Sequence, residues 1–283
     1  MVERKWRGVV RLGLVGFVVV GVVIGAGRLC VRAADVQNAG AKELVQKMVA
    51  AEDVEAQRKG RFEYVSKERS ERTGGRLWTE RVVETSAGKV RRLVAQDGQP
   101  LTAEQATSER VKLDGIAADP EGFRRRSQAG KDDETHAKQM FGLLGKAFVF
   151  EGMRQEGEFV RIEFKPDPNY EPQSMEERVL HGMVGTVWID PKSSRLHRLE
   201  GRLPADVSIG FGLIATVKAG SNFATQRDPV PGDEWKTSLV DTDINGRAIF
   251  FKAIGKKEHT ERTDFVPVAK DVTVAQAVAM LER

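Results

Sequence analysis

Within the stretch Gly185 to Leu203, GTVWIDPKSSRLHRLEGRL, Trp188, Asp190 and His197 fall within ten positions of one another. An aspartate and a histidine can form a general base and its orienting partner, provided the side chains meet. The local pattern argues for a turn instead. In Asp190-Pro191 the aspartate can bond the turn backbone while proline fixes φ near about −65°. His197 alternates with Arg195 and Leu199 as a sheet-face residue does. Gly210-Phe-Gly212-Leu-Ile-Ala215 matches the dinucleotide fingerprint G-x-G-x-x-A, which needs a long helix after it. Here Ala219-Gly220-Ser221-Asn222 interrupts, and Val207, Ile209, Phe211 and Leu213 alternate as in a glycine-bearing strand. The histidines at 136, 181, 197 and 259 have no metal-ligand spacing. Ser66, Ser174 and Ser208 lack a nucleophile elbow, and no carboxylate pair is placed in one cleft by spacing alone. The expectation is a chain without catalytic, cofactor-binding or metal-binding residues, and not an enzyme.

The elements that would carry these residues follow from the period of the apolar positions. Between Asp35 and Gly60, Leu44 pairs with Met48 and Val45 with Val49 at i and i+4, which predicts an amphipathic helix stopping at Gly60. From Arg61 the period becomes two. Runs at 76–85 and 90–96 flank Ser86-Ala87-Gly88-Lys89, Asp97-Gly98 turns the chain again, and runs at 147–155 and 158–165 flank Glu156-Gly157. Asn245-Gly246, between Trp235–Ile244 and Arg247–Ala253, predicts a type I′ hairpin turn. Without a βαβ rhythm, the pattern predicts an antiparallel sheet. Thr102-Ala-Glu-Gln105 has capping-box spacing and opens a helix to Leu113. The charged stretch 119–133 reads as a solvated loop or frayed helix, 134–146 as helical again, and 273–283 as a short helix covering a sheet edge.

Composition sets the compartment. The chain of 283 residues is 40% apolar and 30% charged, as in globular proteins. Arg4, Lys5, Arg7 and Arg11 precede an uncharged run from Leu12 to Gly27, and Val31-Arg32-Ala33 offers a cleavage site. This predicts a secretory signal peptide over 1–33, its apolar run being shorter than a membrane span. Residues 1–33 hold six of the 45 Lys and Arg, so the mature chain is near neutral and lacks a nucleic-acid binder's basic footprint. Cys30, the single cysteine, would be removed too, leaving neither disulfide nor thiol chemistry.

Apolar mass on strands stands out more than any polar motif. Phe148 and Phe150 share one strand face; Val160, Ile162 and Phe164 share a face of the next strand. Val207, Ile209, Phe211 and Leu213 form another row, and Trp78, Trp188 and Trp235 fall in three hairpins. These residues can make an ordinary core, or the wall of a cavity for an apolar ligand in a sheet that few helices close. The cavity candidates are Trp78, Phe148, Phe150, Ile162 and Phe164, with Trp188, Ile209, Phe211, Leu213 and Trp235.

The helix wording Lys42-Glu-Leu-Val-Gln-Lys-Met-Val49, then Val187-Trp-Ile-Asp190 followed by Arg195-Leu-His-Arg-Leu-Glu200, together resemble the periplasmic lipoprotein carriers and outer-membrane lipoprotein-sorting proteins. The resemblance spans roughly Lys42 to Phe265 by order of elements. It implies an α+β fold in which a strongly curved antiparallel sheet, an incomplete β-barrel, is lidded by helices and encloses a cavity for acyl chains. The single carrier-like domain would cover 34–283, with a charged α-helical insertion over 101–146 that departs from a simple lid helix. Arg61, Arg76 and Arg81 lie in the first strands, where a ligand-gating arginine would sit, but none is matched to one. The function implied is a periplasmic carrier whose partner is a lipid or lipoprotein acyl chain, without nucleic acid. The alternatives are an envelope sensor or interaction module contacting an envelope protein, and an envelope enzyme built from dispersed residues.

Overall fold

A computed structural model describes residues 38–55, 57–58, 60–209, 215–248 and 252–283. The expected signal peptide and the positions of Phe211 and Leu213 lie outside these residues. The chain begins with α1 (38–55) and continues through β1 (Arg61–Arg69), β2 (Trp78–Glu84), β3 (Lys89–Gln96) and β4 (Gln99–Pro100). Four helices follow: α2 (Ala103–Ala118), α3 (Pro120–Arg126), α4 (Gln128–Gly142) and α5 (Leu144–Ala147). Next come β5 (Phe148–Glu156), β6 (Phe159–Pro166), α6 (Met175–His181), β7 (Val184–Asp190) and β8 (Arg195–Arg202). The chain ends with β9 (Val207–Ile209), β10 (Ala215–Val217), β11 (Asn222–Val230), β12 (Glu234–Ala248), β13 (Lys252–Val268) and α7 (Val274–Leu281).

The strands form one open antiparallel sheet in the order β4-β3-β2-β1-β13-β12-β11-β8-β7-β6-β5, so the class is mixed α+β. β9 and β10 form a side hairpin on β12, so the row through Val207 and Ile209 does not continue as one straight strand into Ala215. No described helix is long and apolar enough to cross a membrane. The two edge strands, β4 and β5, are consecutive in sequence apart from α2–α5. The helical insertion therefore links one edge of the sheet to the other.

Register decides which face each helix covers. Ile162, Val187, Leu199, Thr225, Val240, Thr260, Glu68 and Trp78 are directly opposed from strand to strand and so lie on one face. α1 packs on this face over β5–β8. On β2 and β3 the opposite face carries Val83 and Val90, which pack with Leu113 of α2, Phe123 of α3, and Val274, Ala277, Val278 and Leu281 of α7. The two covers thus sit on opposite faces at opposite ends of the sheet. Arg81 reaches the carbonyls of Met280 and Leu281 at 3.2 and 3.3 Å, and Arg92 also reaches Leu281, supplying donors to the last turn of α7. The C-terminal helix forms as expected, with a Thr273–Gln276 capping box, but it covers the sheet face rather than an edge.

Two expectations need correction and one is narrowed. Of the two readings of 119–133, loop or frayed helix, the stretch is helical, because Asp119 caps α3 through the Gly122 N–H at 2.8 Å and Pro120 stands at its first turn. α4 then stays solvated on nearly every side. Asn245-Gly246 is not a turn: it lies inside β12, where Asn245 opposes Gly255 and Gly246 opposes both Ile254 and Val217. Ser221 Oγ accepts the Asn245 N–H at 3.0 Å and the Lys218 N–H donates to its carbonyl at 2.8 Å, so tertiary pairing holds the dipeptide extended. Gly60 does not stop the helix, whose last turn closes at Glu55 through the Gln57 and Arg58 N–H groups; it opens β1. The Thr102–Gln105 capping box and the Asp97-Gly98 turn form as expected, Asp97 and Gly98 both taking positive φ.

Leu281 is fully buried between α7, α2 and the sheet, whereas Val111 on α2 is 65% exposed. Leu281→Ala should lower unfolding stability by about 2–5 kcal/mol. Val111→Ala should change it by less than about 0.5 kcal/mol, both read from urea midpoints.

Candidate functional site

The surface beneath α1 is the meeting place of the apolar candidates. Phe148, Phe150, Ile162 and Phe164 come together there with Val187, Ile189, Leu196 and Leu199. The Phe148 and Phe164 rings meet edge to face at 5.1 Å, a favoured aromatic geometry. On β7 and β8, Gly185 opposes Gly201 on this same face. A Cβ at Gly185 would lie 1.9 Å from the Glu200 carbonyl and 2.5 Å from the Phe164 ring; at Gly201 it would lie 2.5 Å from the Phe223 ring. The glycine pair thus makes room for two phenylalanines. As packed, these four candidates form a core beneath α1.

α1 docks through a stripe with heptad-like spacing: Ala41, Val45 and Met48, all fully buried, then Glu52 and Glu55. The first three turns bury apolar side chains and the last two bury carboxylates. Glu52 and Glu55 are only 7% and 5% exposed, so they require cations. Arg195 of β8 donates from Nε to Glu52 at 3.1 Å and from Nη1 to Glu55 at 2.7 Å. Arg227 of β11 pairs with the other Glu52 oxygen. The Leu196 N–H donates to Glu52 at 3.2 Å, the Trp235 N–H to Glu55 at 3.1 Å, and Arg58 stands 3.2 Å from Glu55. Burial pushes the Glu55 carboxyl up, but the bonds from Arg195 and Trp235 with the charges of Arg195 and Arg58 outweigh it, and the net direction is down. Burial pushes the Arg227 guanidinium down to about 10, which leaves it charged at neutral pH. The cluster thus fixes one end of α1 by ion pairs and leaves the other held by apolar contact.

The remaining candidates lie elsewhere. Trp188 projects from the opposite face, since Val187 and Ile189 on either side of it point beneath α1; its indole donates to Glu156 at 3.0 Å and takes Arg161 and Arg198 on its ring. Trp78 shares the α1 face but at the far end of the sheet, with Arg72 over its ring. Trp235 opens β12, and Ile209 is buried in the side hairpin. Asp190 and His197 do not meet as a catalytic pair. Asp190 accepts from Lys192 N–H at 3.0 Å and from the Ser193 hydroxyl within the turn, while the His197 ring stacks on Phe159 at 3.8 Å. No group of three metal-ligating side chains occurs among the described residues.

A trough of about 620 Å³ follows the opposite face along Glu151, Glu163, Thr186, Glu200 and Asp241. Its carboxylates are held by neighbours, Lys165 to Glu151 at 2.7 Å, Arg161 to Glu163 at 2.6 Å and Arg198 to Glu200 at 2.6 Å. That is the arrangement of a solvated sheet face. Of the two buried glutamates sequence reasoning took no notice, although their spacing continues the stripe of Ala41, Val45 and Met48. Comparisons with known proteins return nothing: no family model, no curated protein and no solved structure matches the chain.

Removing one partner of a buried pair strands the other charge, so Arg195→Met should cost about 3–5 kcal/mol of unfolding stability, read from urea midpoints at pH 7. Because the folded Glu55 carboxyl titrates below the unfolded one, its contribution is complete above the ordinary carboxylate range and is lost as pH falls through the folded value. The stability gap between the wild type and Glu55→Gln should accordingly narrow from pH 7 to pH 3; a gap that widens in acid contradicts the assigned direction.

Proposed function

We propose that this chain is a carrier of the bacterial cell envelope, exported to the periplasm, that takes the acyl chain of a lipid or lipoprotein onto the sheet face covered by α1. The observation that carries the reading is the imbalance beneath the helix. Four aromatic or large aliphatic side chains of β5 and β6 and four more of β7 and β8 meet only three fully buried apolar residues of α1, the rest of their cover coming from Leu144 and Ala147 of α5 and from partly buried neighbours such as Leu44, Val49 and Leu180. Burying the Val45 and Met48 side chains is worth about 1.5–3 kcal/mol each. A chain of a dozen methylenes gains roughly 0.8 kcal/mol for each one buried, about 10 kcal/mol before ordering costs are subtracted. An acyl chain can therefore replace the apolar half of α1 on the same surface. While the charged insertion departs from the simple lid helix of the lipoprotein carriers, the resemblance of the element order to theirs supports this reading. In it the sheet is a strongly curved, incomplete barrel, and α1 with the insertion forms the lid.

The ion pairs of Glu52 and Glu55 give the lid a fixed end about which its apolar half swings. The transfer needs no chemistry, only release of the ligand when the lid returns. Titration of the purified protein with a fluorescent fatty acid tests this. Saturable binding is expected, and Met48→Gln, which weakens the apolar end of α1, should tighten it by about tenfold. An absence of saturable binding by both the wild type and Met48→Gln overturns the proposal.

A further inference from the structure

A second cavity, of about 680 Å³, lies at the turn end of the β2–β3 hairpin, where α3 passes into α4. We propose that it binds a phosphate-bearing group. The inference stands on this cavity alone and does not depend on the acyl-chain reading.

Five cations reach the cavity from four separate segments: Arg61 at the start of β1, Arg72 in the β1–β2 loop, Lys89 and Arg91 on β3, and Arg126 at the end of α3. Two carboxylates, Glu84 and Glu134, join them in the lining, and each is already engaged: Glu84 with Lys236 at 3.5 Å and Glu134 with Lys89. On an ordinary solvated sheet face, such as the trough described above, cations and anions alternate and pair across strands. Here five cations converge on one hollow.

Two of the five are held rigidly from behind. Glu80, which is 2% exposed, and Glu68 lie beneath the cavity floor; Arg72 Nη2 bonds them at 2.7 and 2.6 Å, and Arg91 Nη1 bonds Glu80 at 3.1 Å. The buried carboxylates fix the guanidinium planes, so little side-chain freedom is lost when a ligand arrives. The other two arginines have charge to spare. Among the described residues Arg61 Nη1 is buried without a hydrogen-bond acceptor and Arg126 has only Asp119, at 3.7 Å. The Arg61 side chain lines the cavity, where a phosphate oxygen can take a bond from its guanidinium. Several guanidinium forks from different directions suit a tetrahedral phosphate better than a single planar carboxylate.

The wall is built to bring these groups close. Gly88 takes φ +156°, and a Cβ there would fall 2.5 Å from Ser127 Oγ. Only glycine lets the hairpin touch the residue that opens α4. Ser86, Ser127, Gly60 and Gly130 complete the lining with neutral groups.

The phosphate can belong to a soluble compound or to a lipid headgroup. Calorimetric titration with inorganic phosphate and with glycerol phosphate reads the first source; co-sedimentation with phosphatidylglycerol vesicles, against phosphatidylcholine vesicles, reads the second. Saturable binding to any of these anionic probes is expected, with Arg61→Gln and Arg126→Gln each weakening it about tenfold, since one charge-assisted contact is worth about a factor of ten. Arg126 is mostly exposed, so its variant keeps the fold, which an unchanged urea midpoint verifies. Arg154→Gln, at the far edge of the sheet, should leave binding unchanged. Failure of all three anionic probes overturns the proposal. So does undiminished binding in the Arg61→Gln/Arg126→Gln double variant, or an equal loss in Arg154→Gln.

Discussion

The buried pairing of Glu52 and Glu55 with Arg195 and Arg227 is the interaction on which the arrangement of this molecule rests. A helix that buries two carboxylates settles where cations await them, here on β8 and β11. Apolar contact alone would let α1 slide along a smooth surface of phenylalanine, valine and leucine. The ion pairs fix its register and direction while adding little net stability, because desolvating four charges offsets much of their attraction. The consequence is a helix specified at one end by charge and covered at the other by a narrow apolar stripe.

The sheet explains why such a cover is needed at all. Its strands present one face to α1 over β5–β8 and the other to α2 and α7 over β2 and β3, so neither helical layer can seal the whole of either face. The insertion runs from edge strand to edge strand and joins the two regions. It starts under α7 with Leu113, passes the β2–β3 hairpin through Phe123, and ends against Phe148 with Leu144 and Ala147. Between these anchors α4 is polar nearly all round, the character of a helix that bridges rather than packs. Both proposed binding regions lie where this bridge meets an anchored element.

The local elements were largely legible in the sequence, and the partners were not. The Thr102 and Thr273 capping boxes, the Asp97-Gly98 turn and the period-two runs at 76–85, 90–96, 147–155 and 158–165 act over a few residues, and each formed where its pattern placed it. Apolar character alone put Trp188 among the cavity candidates, whereas strand alternation places it on the face opposite Val187 and Ile189. Asn245-Gly246 misled because its turn preference is weaker than pairing on both sides by β10 and β13. Glu52 and Glu55 stood in the sequence at stripe positions, but Arg195 lies 143 residues from Glu52, and nothing local connects them. The basic cavity was illegible for the same reason, since its five cations come from four segments that only the fold assembles.

The central claim is that α1 is a cover that an acyl chain displaces from the sheet. Hydrogen–deuterium exchange of the 38–55 amides, measured with and without a bound long-chain fatty acid, tests it most directly. Faster exchange in α1 with unchanged or slower exchange in β6 and β7 is the outcome expected. Unchanged or slower exchange in α1 at saturating ligand would contradict the account, because the chain would then be bound somewhere other than beneath the helix.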